Sequence, residues 1–374
     1  MTAVGKVLIN GAGPGGLSAA IALARQGVEV DVAEITPDRA VLGSELLLSS
    51  ANLRSLRELG VVDEVVARGV PISSVQMRIA DDTVVAEIPI PSVVTELPAS
   101  VGILRRALHD VLYDAAIAAG ATIRHGVTIE HLSVDDDGGD VTLTASESAR
   151  FDLVIGAEGV QSRVRALAFP DAQSPQYVGQ CVWRARVPRG GDPCLDLWIG
   201  TRSNTGLITV DDDTSYLFCL VPYEVPPRLD PEQFPQLLRE QLDEYEHGLV
   251  AWSRERLGSS ADIHFSPMMW SVLPKPWNRG RALLIGDAAH ATTPHIGYGA
   301  GLAIEDGVVL GQELAGTDDA REALARFSER RFERCRMVVE GGVQISRWQQ
   351  SDDSFDADQG RITNEIWAAL AEPA

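Results

Sequence analysis

The sequence predicts an α/β fold: a domain of buried parallel strands, interrupted by a mostly antiparallel β-sheet domain and followed by a helical C-terminal part. Three observations predict it. A glycine cluster, Gly11-Ala-Gly-Pro-Gly-Gly16, stands between an apolar run and a helical pattern. A second glycine-rich segment, Arg281 to Gly307, gives strand, loop, bend and helix about 270 residues later. Between them, from Gln180 to about Val221, short strands alternate with turn residues.

A chain of 374 residues buries a sizeable core and suits two unequal domains. Acidic residues number 53 and basic ones 32, for a net charge of −21. Such a surface argues against nucleic-acid or anionic-membrane binding. With no 18-residue apolar run and no signal peptide, a cytoplasmic protein without a membrane span is expected. The four cysteines show no C-x-x-C spacing, so reduced thiols and no metal are expected.

Element by element, Val4–Ile9 reads as a buried strand, Leu17–Gln26 as a helix stopped by Gly27, and Val28–Val32 as a second strand. Together they make a βαβ unit. Helices are predicted at Ala51–Leu59 and Arg105–Ala119. Hairpins are predicted from Val75–Ala80 with Val84–Ile90, and from Thr128–Val134 with Val141–Ala145. The acidic run Asp135–Asp140 between the latter reads as a solvated turn, since it lacks calcium-loop spacing and a closing Glu. Phe151–Ile155 is a further buried strand. Strands follow at Cys181–Val187, Leu195–Ile199, Tyr216–Val221 and near Phe265–Leu273. Arg281–Ile285 returns to the buried parallel type, and Asp318–Trp348 is helical. The first domain is therefore discontinuous, over 1–72, 100–175 and 274–345. The inserted domain takes 73–99 and 176–273, and 346–374 reads as a peripheral tail.

Gly11, Gly13 and Gly16 form G-x-G-x-x-G in the setting that gives it meaning. The first glycine permits the tight turn, the second lets a pyrophosphate approach, and the third lets helix and strand pack. With Pro14 and Gly15 they open a helix whose free N–H groups suit phosphates. Glu34 ends the second strand, placed to accept from a ribose diol and to repel a 2′-phosphate. The domain is Rossmann-like, and its site should hold FAD or NAD. Two glycine sites so far apart suggest one long ligand held at both ends, which favours a flavin dinucleotide.

Three motifs together resemble the FAD-dependent aromatic hydroxylase family, the group A flavoprotein monooxygenases typified by para-hydroxybenzoate hydroxylase. They are Gly11–Gly16 with Glu34, Asp152-Leu-Val-Ile-Gly-Ala-Glu-Gly159 through Ser162 and Arg165, and Gly286-Asp287 through Pro294. The resemblance spans about Val4 to Trp348. It implies a Rossmann-like FAD-binding domain with an inserted β-sheet substrate domain. It implies that Asp287 binds the ribityl chain, that Arg105 reaches the FAD phosphates (Arg106 is the alternative), and that Val127 touches the adenine through its backbone. Glu158 stands where the family usually has Asp.

The bend Gly297-Tyr-Gly-Ala-Gly301, following Pro294, opens a new helix. Its positive end suits the negative charge of a reduced flavin, so Gly297, Gly299, Ala300 and Gly301 join the cofactor candidates. Relatives usually carry Gln and Asn where this chain has Tyr298 and Gly301. Tyr298 either enters the pocket or packs as a ring. His290 reads as a structural hydrogen-bonding residue, and His295 is a candidate to face the substrate. In the inserted sheet Trp183, Arg184, Trp198 and Tyr216 are pocket candidates, with Trp183 and Arg184 on opposite faces.

The resemblance implies an FAD-dependent monooxygenase that consumes NAD(P)H and O2 and hydroxylates an aromatic or heteroaromatic molecule through a flavin C4a-hydroperoxide. The cofactor carries the chemistry and the protein positions it. The alternatives are a flavin oxidase or dehydrogenase, and a non-catalytic flavin-binding redox sensor. A monomer or homodimer is expected.

Overall fold

The computed structural model describes residues 3–39, 45–144, 148–351 and 358–374, and counts of elements refer to these residues. The chain opens with β1 (Lys6–Asn10), α1 (Pro14–Ala24) and β2 (Glu29–Glu34). Next come β3 (Leu46–Ser49), α2 (Ser50–Glu58), α3 (Val62–Ala67), β4 (Val70–Ile72), β5 (Ser74–Ile79), β6 (Val84–Pro89) and β7 (Ser100–Ile103). α2 begins in a capping box: the Ser49 hydroxyl accepts from the Asn52 N–H, and the Asn52 side chain accepts from the Ser49 N–H.

α4 (Arg105–Ala118) leads to β8 (Thr122–His125), β9 (Ile129–Val134), β10 (Gly139–Leu143), β11 (Ser148–Phe151) and β12 (Leu153–Gly156). Ala145, expected to end the second hairpin, lies outside the described residues. The single strand expected at Phe151–Ile155 is two. The chain breaks at Asp152, whose Oδ2 accepts from the N–H groups of Gly5 at 2.7 Å and Lys6 at 2.8 Å. The acidic turn before β10 is closed from within. Asp135 Oδ1 accepts from the N–H of Asp137 and Gly138, and Arg150 pairs with Asp135 and Asp140.

α5 (Arg163–Ala168) precedes β13 (Gln176–Pro188), β14 (Leu195–Ile199), β15 (Asn204–Thr209) and β16 (Thr214–Pro222). Then follow α6 (Phe234–Gln241), α7 (Gly248–Glu255), β17 (Ile263–Trp270), β18 (Asn278–Arg279) and β19 (Ala282–Leu284). The chain closes with α8 (Asp287–His290), α9 (Gly299–Ala315), α10 (Ala320–Gln349) and α11 (Asp358–Ala371).

Two large sheets result. The first has the order β18-β19-β12-β1-β2-β8. It is parallel except at β18. Its order reverses at β1, the kind of switch point where open α/β sheets bind ligands beyond their carboxyl ends. The second has the order β17-β13-β16-β15-β14-β5-β6. It is antiparallel apart from the β14–β5 pair. One of its faces buries Trp183, Trp198 and Leu217 against α6 and α7 residues such as Leu238 and Val250.

The chain's last helix is not peripheral. Ile366 and Leu370 are buried in the main core. The carbonyls of Ala369 and Leu370 accept from Arg334, and that of Ala371 from Arg54. No helix of the described residues is long and apolar enough to cross a membrane. The four cysteines are unpaired, with Cys181, Cys219 and Cys335 buried and Cys194 partly so. Burial raises the thiol pKa of Cys181, and pushes those of Cys194 and Cys219 up to about 11.

Candidate active site

A cleft of about 1530 Å³ lies between the carboxyl ends of the parallel strands and the second face of the seven-stranded sheet. The β1–α1 turn forms its floor. Gly11 holds φ +108°, and a Cβ there would stand 2.5 Å from the Ala157 carbonyl oxygen. A Cβ on Gly16 would meet the Gly11 oxygen at 2.0 Å, so that glycine serves helix–strand packing and does not border the cleft. Gly13 borders it, and a Cβ there meets nothing within 4 Å. Pro14 and Gly15 also line the cleft, at a helix start with no side-chain cap.

Glu34 closes the same end. Its Oε2 accepts from the Ala12 N–H at 2.8 Å, and its Oε1 from the Thr36 N–H and hydroxyl at 2.9 Å. Those bonds fix both carboxylate oxygens at the cleft wall. Val127 is corrected: it does not line the cleft, and its N–H is committed to the Glu34 carbonyl at 3.0 Å. That bond ties the loop between β8 and β9 to the end of β2.

Arg105 opens α4 and lines the cleft, whereas Arg106 is 73% exposed and faces Asp110. Burial lowers the Arg105 pKa, while Asp287 and Glu45 oppose that loss of charge. Asp287 opens α8 at the far side; burial raises its carboxyl, with His290 and Arg105 opposing. Glu158 turns inward to hold its own loop. It accepts from Asn10 Nδ2 at 2.6 Å, the Ser162 hydroxyl at 2.6 Å and the Val164 N–H at 2.9 Å.

Pro294, Gly297, Gly299 and Ala300 line the cleft; Gly301 does not. A Cβ on Gly301 would lie 1.9 Å from Asn52 Nδ2, so this glycine lets α2 close on α9. Tyr298 borders the cleft as a packed ring, 3% exposed, and its hydroxyl donates to Glu305 Oε1 at 2.9 Å. Glu305 belongs to a buried charge network. Arg331 Nη1 and Arg334 Nε donate to its Oε2 at 2.9 Å, and Arg331 Nε donates to Asp306 Oδ1 at 2.7 Å. Asp306 Oδ2 accepts from the Gly286 N–H at 2.8 Å and lies 2.7 Å from His290 Nε2. His290, Asp306 and Cys335 bring ligand-type atoms within 4.8 Å of one another. The guanidinium of Arg331 already supplies the positive charge there.

His295 lines the cleft, yet both ring nitrogens are engaged. Nε2 faces Gln180 Oε1 at 3.1 Å, and Nδ1 faces the Thr293 hydroxyl at 2.9 Å. Gln180 Oε1 also accepts from Ser346 at 2.5 Å. Since that oxygen only accepts, Nε2 carries the proton and Nδ1 accepts from Thr293. Burial pushes the imidazole down from its ordinary 6.5 to about 4. Between those values the unfolded chain binds a proton that the folded one does not. This histidine's contribution to stability is therefore complete above pH 6.5 and is lost as pH falls toward 4. The urea midpoint is expected to decline across that window, and the decline to shrink in His295→Gln. Identical pH profiles for the two proteins would rule out the buried neutral imidazole. His290 is opposed by burial but raised well above its ordinary value by Cys335 and Asp306. Its contribution is present at low pH and has the opposite sign.

In the seven-stranded sheet Arg184 and Tyr216 face the cleft. Trp183 is corrected: it is 1% exposed on the far face, against Phe234 and Phe265. Arg184 Nη1 donates to Ser266 Oγ at 2.7 Å. Two residues on, Arg186 pairs with Glu45 at 3.2 Å; among the described residues Arg184 has no such carboxylate. Residues the motifs did not single out complete the wall: Met77, Val182, Leu197, Ile208, Phe218 and Leu220. The signal for Val182, Phe218 and Leu220 was the alternation along β13 and β16, which was readable.

Fold and cleft together define a dinucleotide-binding α/β protein whose ligand site is walled by a second sheet. Residues 5–341 match the family described as FAD binding domain. The chain belongs to that family, as an FAD-dependent class A flavoprotein monooxygenase. It is 30% identical over 363 residues to the aurachin C monooxygenase/isomerase of Stigmatella aurantiaca, covering 93% of this chain and 91% of the relative. It is 28% identical over 337 residues to the 2-heptyl-3-hydroxy-4(1H)-quinolone synthase of Pseudomonas aeruginosa, covering 89% and 86%. The Klebsiella pneumoniae HpxO structure complexed with FAD and uric acid shares the fold, with TM-score 0.83 and 23% identity over 98% of this chain and 92% of that one. The cleft suits FAD on its own evidence. It runs unbroken from Glu34 past the open flank of Gly13 to Asp287 and Gly297, with uncapped starts of α1 and α9 beside it.

Proposed function

We propose that the protein uses NAD(P)H and O2 to place one oxygen atom on an aromatic or heteroaromatic small molecule. The single observation that carries this is the continuity of the cleft from the β1–α1 turn to an apolar sheet wall bearing Arg184. When bound, FAD supplies the redox and oxygen chemistry. Gly11, Gly13, Pro14 and Gly15 hold its pyrophosphate. Glu34 takes the ribose, Arg105 the phosphates and Asp287 the ribityl chain. Pro294, Gly297, Gly299 and Ala300 cradle the ring, where the start of α9 favours negative charge. The apolar wall keeps water from the reacting atoms. The cofactor part spans 1–72, 100–175 and 274–345, now with α11 added, and the substrate part 73–99 and 176–273.

The purified protein is expected to be yellow and to oxidise NADH or NADPH faster with substrate. With 18O2, label is expected in the product. A colourless protein that cannot be reconstituted with FAD sinks the proposal. NAD(P)H oxidation with every product free of label points instead to an oxidase.

A further inference from the structure

The cleft face of the seven-stranded sheet has a pattern that goes beyond a generic aromatic site. Arg184, Phe218, Gly206, Leu197 and Met77 stand in one register row across β13, β16, β15, β14 and β5. A Cβ on Gly206 would meet Phe218 Cζ at 2.2 Å and Leu197 Cδ2 at 2.8 Å. The Phe218 ring therefore lies over Gly206, down on the sheet, and offers a flat aromatic surface to the cleft. Beside it is the Arg184 guanidinium, tethered to Ser266 and lacking a carboxylate partner among the described residues. Beyond it the row is apolar, as is its neighbour, where Ile208 and Leu195 are paired. At ~4.8 Å per strand the row runs roughly 19 Å, longer than a single aromatic ring needs. The bond between His295 and Gln180 seats the Pro294–Gly297 loop against β13, the strand that carries Arg184.

We infer that the site is built for a flat ring system carrying an anionic or strongly accepting oxygen and an alkyl tail. The ring stacks on Phe218 with its oxygen toward Arg184, on the strand against which the Pro294–Gly297 loop is seated. The tail runs over Leu197 and Met77, away from it. Stacking and cation recognition fix the head, and apolar burial fixes the tail. This rests on the reading of the cleft as a monooxygenase site, and it deepens that reading to a substrate class.

The test uses the FAD-loaded enzyme and 4-quinolones bearing methyl, propyl, pentyl and heptyl groups at C2, with 3-hydroxybenzoate as the short probe. Dissociation constants come from perturbation of the flavin absorbance. Binding is expected to tighten about fourfold per added methylene until the row is filled. Arg184→Gln is expected to weaken every member by a common factor. Met77→Gln is expected to reduce the gain per methylene and leave the methyl compound unchanged. Binding that is flat with chain length, or 3-hydroxybenzoate bound more tightly than the heptylquinolone, overturns the inference. The wild-type series alone decides this, even if a variant fails to fold. A clear chain-length dependence without 18O in any product would spare this inference and defeat the monooxygenase reading.

Discussion

Arg331→Met is expected to destabilise the fold by about 3–5 kcal/mol, the usual consequence of removing one partner from a buried ion pair. Arg331 is fully buried and bonds both Glu305 and Asp306, which are also fully buried. Burial disfavours its charge, yet the surrounding acids hold its pKa above the ordinary arginine value. Without the guanidinium, Asp306 keeps His290 and the Gly286 N–H, and Glu305 keeps Arg334 and Tyr298. Two carboxylates would then share less positive charge in a dry site. Urea unfolding of the FAD-free protein measures the loss. A change under about 1 kcal/mol would show that the remaining partners compensate. Because Asp306 also holds the Gly286 N–H, FAD affinity is expected to weaken in parallel.

Gly11→Ala is expected to yield a protein that retains no FAD. An alanine at φ +108° is strained, and its Cβ would press on the Ala157 carbonyl at 2.5 Å. Neither β1 nor the loop after β12 can retreat, because they are bonded neighbours in the central sheet. Flavin content after purification and after reconstitution reads the outcome. Gly13→Ala is the informative control. A Cβ there meets no protein atom within 4 Å, so the apo fold should hold while the cofactor binds less well. A Gly11→Ala protein that binds FAD normally would mean the turn can relax, contrary to the geometry.

Much of this architecture was legible because its signals are local. The G-x-G-x-x-G turn, the apolar parallel strands and the Gly-Asp segment each announce one backbone event. The strands that escaped are short or polar. β8 reads Thr-Ile-Arg-His directly after a helix stop, and β15 begins Asn-Thr-Gly. Both are specified by pairing with β2 and β16, which sequence spacing does not display. At the site, the resemblance pointed to Arg105 and Asp287, which line the cleft, and to Val127, which does not and whose N–H is bonded to the end of β2. Tyr298 illustrates the limit from the other side. Its environment depends on Glu305 seven residues later and on Arg331 and Arg334 of the next helix. The charge-dense run around Arg331 looks like a solvated face, and only packing shows that it is not.

The placement of the thiols has a consequence for how this protein ages. Chemistry that joins reduced flavin to oxygen releases some peroxide whenever the two events fall out of step. Peroxide oxidises cysteine through the thiolate, and most readily where solvent can reach it. Cys181, Cys219 and Cys335 are sequestered, and Cys194 is raised to about 11. None of the four borders the cleft, so peroxide formed there meets no cysteine on its walls and must travel through solvent or protein before it can oxidise one.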